Sequence, residues 1–299
     1  MIKRNNIKTL KRSWRTATFF CVAVLLHLTF PKSLLATYPE EQPSARAASL
    51  GYGVVAIAEE WSLFYNQASL GFLENSWVGV HHENRFISPD LSFSAVGGIW
   101  VAKPGALGFS VKRLGFSKFS QTQAGLAFGM KLLPNLAVGV QANFHHVYVA
   151  GEYGSTSAFS AEGGILYTPG EKLSVGLHFF NPTRSKIYDD ERMPTKINLG
   201  LAYKLSDMVL VTSGVGASTD SRTNFMVGVE FSPIKSLYFR TGVMTEPSTI
   251  CFGMGYNVKS LKMDIAFSRN EYLGFTPHVS LSYQFGSKKE KRADESETI

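Results

Sequence analysis

The sequence predicts an all-β fold, a transmembrane antiparallel β-barrel of about 14 strands with a small N-terminal hatch or plug segment. Three observations predict it. Between Trp77 and Phe285, apolar residues alternate with small or polar ones in a train of short segments. The joins between those segments alternate in length, and the first 36 residues have the make-up of an export signal.

The alternation is the primary signal. Leu136, Val138, Val140, Ala142 and Phe144 are one apolar parity, whereas Ala137, Gly139, Gln141, Asn143 and His145 between them are small or polar. Successive strand side chains point to opposite faces, so such a segment has a greasy side and a wet side. A soluble sandwich would fill its wet side with Lys, Glu and Thr. Here that side is rich in Gly, Ser and Ala with single charges, which suits a crowded lumen with lipid outside.

Residues 1–36 carry seven of the 30 basic residues and no acid, which leaves 23 basic against 23 acidic residues beyond them. The formal charge of +7 therefore belongs to the leader, and no nucleic-acid partner is expected. Lys3, Arg4, Lys8, Lys11, Arg12 and Arg15 precede the apolar run Ala17 to Phe30, followed by small residues at Ser33 and Ala36. This is the pattern of a cleavable signal peptide, and the run is short for a spanning helix, which needs about 20 apolar residues. Cys21 lies inside that run, so an exported chain would keep only Cys251 and form no internal disulfide.

Residues 37–76 lack the alternation. Small residues (Ser44, Ala45, Ala47, Ala48, Ser49, Gly51, Gly53) precede Glu59, Glu60 and the stretch Trp61 to Gly71, with short helical turns expected at 45–50 and 61–64. We read this part as the hatch. Strands are expected at 77–86, 90–102, 105–116, 121–133, 135–150, 156–168, 172–181, 195–204, 208–217, 223–232, 236–244, 248–257, 260–268 and 275–285. Tight links with turn residues occur at Lys103-Pro104-Gly105, Pro134-Asn135, Pro169-Gly170-Glu171, Ser206-Asp207, Pro233-Ile234-Lys235 and Val258-Lys259. Longer polar joins separate them, as between the periplasmic turns and external loops of an outer-membrane barrel. Tyr167, Tyr203, Phe231, Tyr256, Tyr283 and Phe285 fall near the turn ends, where aromatic girdles meet the headgroups of outer-membrane lipid. Residues 286–299 are charged and nearly free of apolar residues, so a disordered periplasmic tail is expected.

The run Ser44-Ala45-Arg46-Ala47-Ala48-Ser49-Leu50-Gly51 through Tyr65-Asn66-Gln67-Ala68-Ser69-Leu70-Gly71 resembles the N-terminal signature of the PorV/PorQ family of Bacteroidetes outer-membrane proteins. More distantly it is similar to the hatch of FadL-type long-chain fatty-acid transporters. Arg46, Ala47, Leu50, Gly51, Ala56, Ala58, Tyr65, Asn66, Ala68 and Leu70 match the pattern, and Glu59 and Glu60 replace its acidic pair. Gln67 replaces the usual Pro, Ser69 a Gly and Ser44 the first Gly. The resemblance implies a plugged barrel that passes a small hydrophobic compound, or one that works with secretion-system proteins in type IX secretion.

The residues themselves argue against catalysis. No Gly-x-Ser-x-Gly elbow occurs, and pairs such as Gly214/Gly216 and Gly253/Gly255 are the small inward parity of strands rather than phosphate loops. His145/His146 and His81/His82 are adjacent, so each pair points to opposite faces, and a shared metal would need a residue from a neighbouring strand. No metal, cofactor or enzymatic activity is expected. Charges on the wet parity, Lys112, Lys131, Glu162, Lys204, Glu230, Arg240, Lys262 and Asp264, are expected to pair in a lumenal network, with Arg46, Glu59 and Glu60 of the hatch as partners. Arg46 through Leu70, including Gly51, is the expected functional segment, with Tyr65 and Asn66 anchoring it to the wall. The alternative is a structural or adhesive surface barrel that binds a partner through its loops, especially Arg184 to Arg192.

Overall fold

The computed structural model describes residues 42–152, 154–187 and 191–286. The expected signal peptide at 1–36, most of the charged tail, and Tyr188, Asp189 and Asp190 at the centre of the Arg184 to Arg192 join lie outside the described residues. Fourteen strands follow the N-terminal segment: β1 (Ser76–Asn84), β2 (Ser92–Val101), β3 (Gly105–Gly115), β4 (Phe119–Leu133), β5 (Leu136–Val149), β6 (Gly154–Tyr167) and β7 (Leu173–Phe180). The chain continues with β8 (Lys196–Lys204), β9 (Val209–Ser218), β10 (Asn224–Ile234), β11 (Leu237–Thr245), β12 (Ser248–Val258), β13 (Leu261–Asn270) and β14 (Gly274–Phe285). Each pairs antiparallel with its sequence neighbours, and β1 pairs with β14, so the sheet closes and has no edge.

The two parities separate as expected. On β10, Phe225, Val227, Val229 and Phe231 are exposed outward, while Asn224, Met226, Gly228 and Glu230 are buried inward. A continuous apolar exterior around a polar interior is stable only where lipid surrounds it, since closure satisfies every wall hydrogen bond internally. The six links named above all fall at one rim, called here the turn end; the other rim, the loop end, carries the long joins 85–91 and 181–195, but the expected alternation in length fails at 116–118 and at Glu246-Pro247, where loop-end joins are as tight as the turns. Tyr167, Tyr203, Phe231, Tyr256 and Tyr283 are exposed outward near the turn end, and the Tyr283 and Phe285 rings stack with centroids 6.5 Å apart.

The segment before β1 runs through the barrel. It contains helix α1 (Ala45–Ser49) and two 3₁₀ turns, Glu60–Phe64 and Gln67–Phe72. Local sequence sets each start. The Ser44 hydroxyl accepts the Ala47 N–H at 3.2 Å, the Asn66 side chain accepts the Ala68 N–H at 3.2 Å, and Glu59 and Ser62 form a capping box. Gly51 adopts φ 63° after α1, a conformation that favours glycine, and a Cβ there would lie 2.7 Å from the Val243 carbonyl oxygen.

Candidate functional site

The small inward parity of the wall has a specific use. Gly79, Gly97, Gly108, Gly129, Gly139, Gly164, Gly176, Gly200, Gly214, Gly228, Gly242 and Gly253 place one glycine on each strand from β1 to β12, and all face the hatch. In eleven of them an added Cβ would come within 3.0 Å of a hatch atom, and at Gly214 it would lie 3.7 Å from Gly53 Cα. At Gly139 and Gly242 the atoms met are hatch backbone, Gln67 C at 2.2 Å and Leu50 C at 2.3 Å. Where β13 and β14 complete the ring, Ala266 packs on Ala45 and Ala48, and the Ala45 N–H donates to Ser280 Oγ at 2.8 Å. The wall backbone is therefore in close contact with the hatch nearly all the way round, against hatch backbone at Gly129, Gly139, Gly176, Gly228 and Gly242 and against hatch side chains at most of the others.

Charged groups tie one side of the hatch to the wall. Arg46 donates to Glu230 through Nε and Nη2, each at 2.8 Å, and to Glu59 through Nη1 at 2.5 Å. Arg240 joins the same Glu230 at 2.5 Å to Asp264 at 2.6 Å, and Gly255 leaves the room that this pair fills. Burial alone would lower the Arg46 pKa, but the facing Glu230 and Glu59 carboxylates outweigh it and hold the guanidinium well above its usual range. The Tyr65 hydroxyl donates to Glu59, and burial followed by that charge raises its pKa well above an ordinary phenol. Lys262 Nζ reaches both Glu60 oxygens, at 3.0 and 3.1 Å, and Gln284 donates to the same carboxylate.

Beyond the hatch, toward the loop end, lies a recess open to solvent, whose empty space of about 580 Å³ includes the solvent at its mouth. Phe64 and Tyr65 of the hatch line it together with Phe180, Met193 and Pro194, and Lys112, His145, Glu162 and His178 supply its polar wall. Glu162 is held by Gln141 at 2.7 Å, Asn143 at 2.9 Å and His178 Nε2 at 3.0 Å. His178 Nδ1 is buried and has no hydrogen-bond partner among the described residues.

The structure divides the expected lumenal network. Glu230, Arg240 and Asp264 join Arg46 and Glu59 in one cluster, Lys262 meets Glu60 in a second, and Lys112 and Glu162 line the recess. Lys131 and Lys204 depart from the expectation. Both lie on the inward parity, but at the turn-end mouth and exposed, where water solvates them and no buried partner is required. Lys131 Nζ instead sits over the Phe72 ring, 5.0 Å from its centroid. Leu70 is buried where Gly129 leaves room for it. Asn66 does reach the wall, donating to the Ile165 carbonyl at 3.3 Å and to Val55 O at 2.7 Å, whereas Tyr65 bonds within the hatch. Sequence reasoning missed a further buried cluster, Glu83 with Arg85, His81 and His278, because His278 arrives from the last strand.

No protein-family model matches the sequence, and no curated protein matches it. Solved structures do share the fold. A toluene transporter of Ralstonia pickettii, TbuX, aligns with TM-score 0.66 and 11% identity over 84% of this chain and 100% of its own. The monoaromatic hydrocarbon channel CymD gives TM-score 0.65 at 11% identity over 84% and 100%. A Pseudomonas aeruginosa FadL homologue gives 0.55 at 11% identity over 80% and 98%. The chain thus has the closed 14-strand barrel of FadL-type outer-membrane proteins.

Proposed function

We propose that this protein is an outer-membrane barrel through which a small hydrophobic compound passes, and that residues 42–75 act as a removable hatch in the lumen. One observation carries the reading: the loop-end recess is floored by Phe64 and Tyr65 of the hatch, so a molecule bound there rests on the part that must move. Aromatic and apolar walls with a few convergent polar groups suit a largely apolar ligand with one polar end. The solved relatives described as toluene, monoaromatic hydrocarbon and FadL-type proteins support the same class of cargo. The test is uptake of radiolabelled toluene and of a long-chain fatty acid by cells expressing the chain, against cells carrying Phe180→Asp. A several-fold fall is expected in the variant, and wild-type uptake no faster than that of cells without the protein would sink the proposal.

The signature-like run at 44–71 supports a second reading, an accessory role in type IX secretion. Copurification of secretion-system proteins with the detergent-solubilised barrel tests it, and a barrel that purifies alone from a secreting host argues against it.

A further inference from the structure

The pairing of β1 with β14 closes the barrel, and its register sets Glu83 opposite His278 and His81 opposite Ser280 on the lumen side. Two imidazoles converge there on one carboxylate oxygen. His81 Nε2 lies 3.2 Å and His278 Nδ1 2.9 Å from Glu83 Oε2, and the three candidate ligand atoms are all within 4.8 Å of one another. Around a tetrahedral zinc ion with bonds of about 2.0–2.2 Å, ligand atoms stand roughly 3.3–3.6 Å apart, so small side-chain shifts suffice.

The surroundings orient these groups. His81 Nδ1 is 2.9 Å from Ser280 Oγ, and His278 Nε2 is 2.9 Å from Ser268 Oγ. A ring nitrogen that donates its N–H backward leaves the forward nitrogen bare for a metal, which is how ligating histidines are fixed. Arg85 Nε donates to the other Glu83 oxygen, Oε1, at 2.5 Å, which directs Oε2 at the rings. Ser280 also accepts the Ala45 N–H, so the outer shell of this cluster includes the first turn of the hatch.

We propose that His81, Glu83 and His278 form a binding site for a divalent transition-metal ion of the zinc type, clamping the first strand to the last. Two imidazole nitrogens and one carboxylate oxygen favour zinc, cobalt, nickel or copper over magnesium and calcium, which take all-oxygen shells. A water or small anion completes the coordination. The adjacent His82 faces away, as expected of neighbouring strand positions; the second imidazole comes from the strand that closes the barrel.

The test uses the full chain, purified in detergent without a polyhistidine tag and titrated with Co²⁺ and then Zn²⁺. Visible absorption should show one equivalent of Co²⁺ displaced by Zn²⁺ and unaffected by Mg²⁺. His278→Ala and Glu83→Gln should abolish it, Ser268→Ala should weaken it roughly 10–100-fold, and His145→Ala, in the recess, should leave it unchanged. Heat-dependent gel mobility reports whether each variant folds. Should His278→Ala not fold, X-ray absorption on the zinc-loaded wild-type chain decides, since two imidazoles in the shell support the site and none overturns it. Wild-type protein that takes up no stoichiometric Co²⁺ or Zn²⁺ also overturns it, as does binding that survives His278→Ala.

Discussion

The two sides of the hatch are held to the wall by different forces. Helix α1 packs on β11 to β14, and its Arg46 is locked to Glu230 beside the Arg240–Asp264 pair. The 3₁₀ turns pack on β2 to β6 with Trp61, Leu63, Phe64 and Leu70, where the wall offers glycines and few charges. Ion pairs are directional and are lost abruptly when one partner leaves, whereas apolar packing tolerates sliding and is roughly proportional to the area in contact. The ionic side thus behaves as a latch and the apolar side as a bearing. Under the proposed function, a ligand settling on Phe64 and Tyr65 would touch the bearing side directly and reach the latch through the Tyr65–Glu59–Arg46 chain.

Removing both sides together has the largest expected effect. Deletion of residues 42–75 should convert a nearly silent barrel into a conducting one in planar bilayers; conductance unchanged by the deletion would mean that the segment does not close the lumen. Next in size is Gly139→Leu, whose Cβ would meet hatch backbone at Gln67 from wall backbone on β5. Neither side can yield by a rotamer change, so the bearing half of the hatch should leave its seat and conductance should rise while the barrel still folds. Gly170→Leu, with nothing within 4 Å, is the matched control and should do neither.

Smaller changes separate latch from bearing. Arg46→Ala leaves the buried Glu230 and Glu59 carboxylates short of a partner and should cost about 3–5 kcal/mol of hatch docking, felt first at α1. Trp61→Ala removes a ring that stacks on Phe64 and meets Trp77 edge-on with centroids 4.8 Å apart, at a similar cost of about 3–5 kcal/mol. Hydrogen exchange discriminates the two. Arg46→Ala should speed exchange at 45–50 and spare 61–72, and Trp61→Ala the reverse; equal loss of protection across both would show the hatch to be one cooperative unit.

Much of this was legible in the sequence, and what was not has a physical reason. All fourteen strands appear where the alternation puts them, as with 135–150 against Leu136–Val149, because a wall between lipid and a polar lumen forces period two on every strand. The inward Gly-Ser-Ala parity was visible, but its meaning as a seat for the hatch was not, since that depends on which glycine of each strand lies at the level of the segment. Glu230 and Arg240 could be paired on paper because neighbouring strands carry them in register, whereas Asp264 reaches Arg240 across β12, over Gly255. Glu83 and His278 lie 195 residues apart and meet only because the barrel closes in one register, and a shift of one residue would turn His278 outward.

The smallest expected effect tests whether inward parity alone makes a lysine part of the hatch. Lys131 and Lys204 are both exposed at the turn-end mouth, yet only Lys131 lies over a hatch ring, that of Phe72. An exposed cation–π contact is worth about 0.5–1 kcal/mol, whereas a solvated lysine without such a contact is worth about 0–0.5 kcal/mol. Lys131→Ala should therefore loosen the C-terminal end of the hatch slightly, seen as faster exchange at Leu70 to Leu73, and Lys204→Ala should leave every hatch amide as it was. Equal effects of the two substitutions would mean that general charge at the mouth, and not contact with the hatch, is what those lysines contribute.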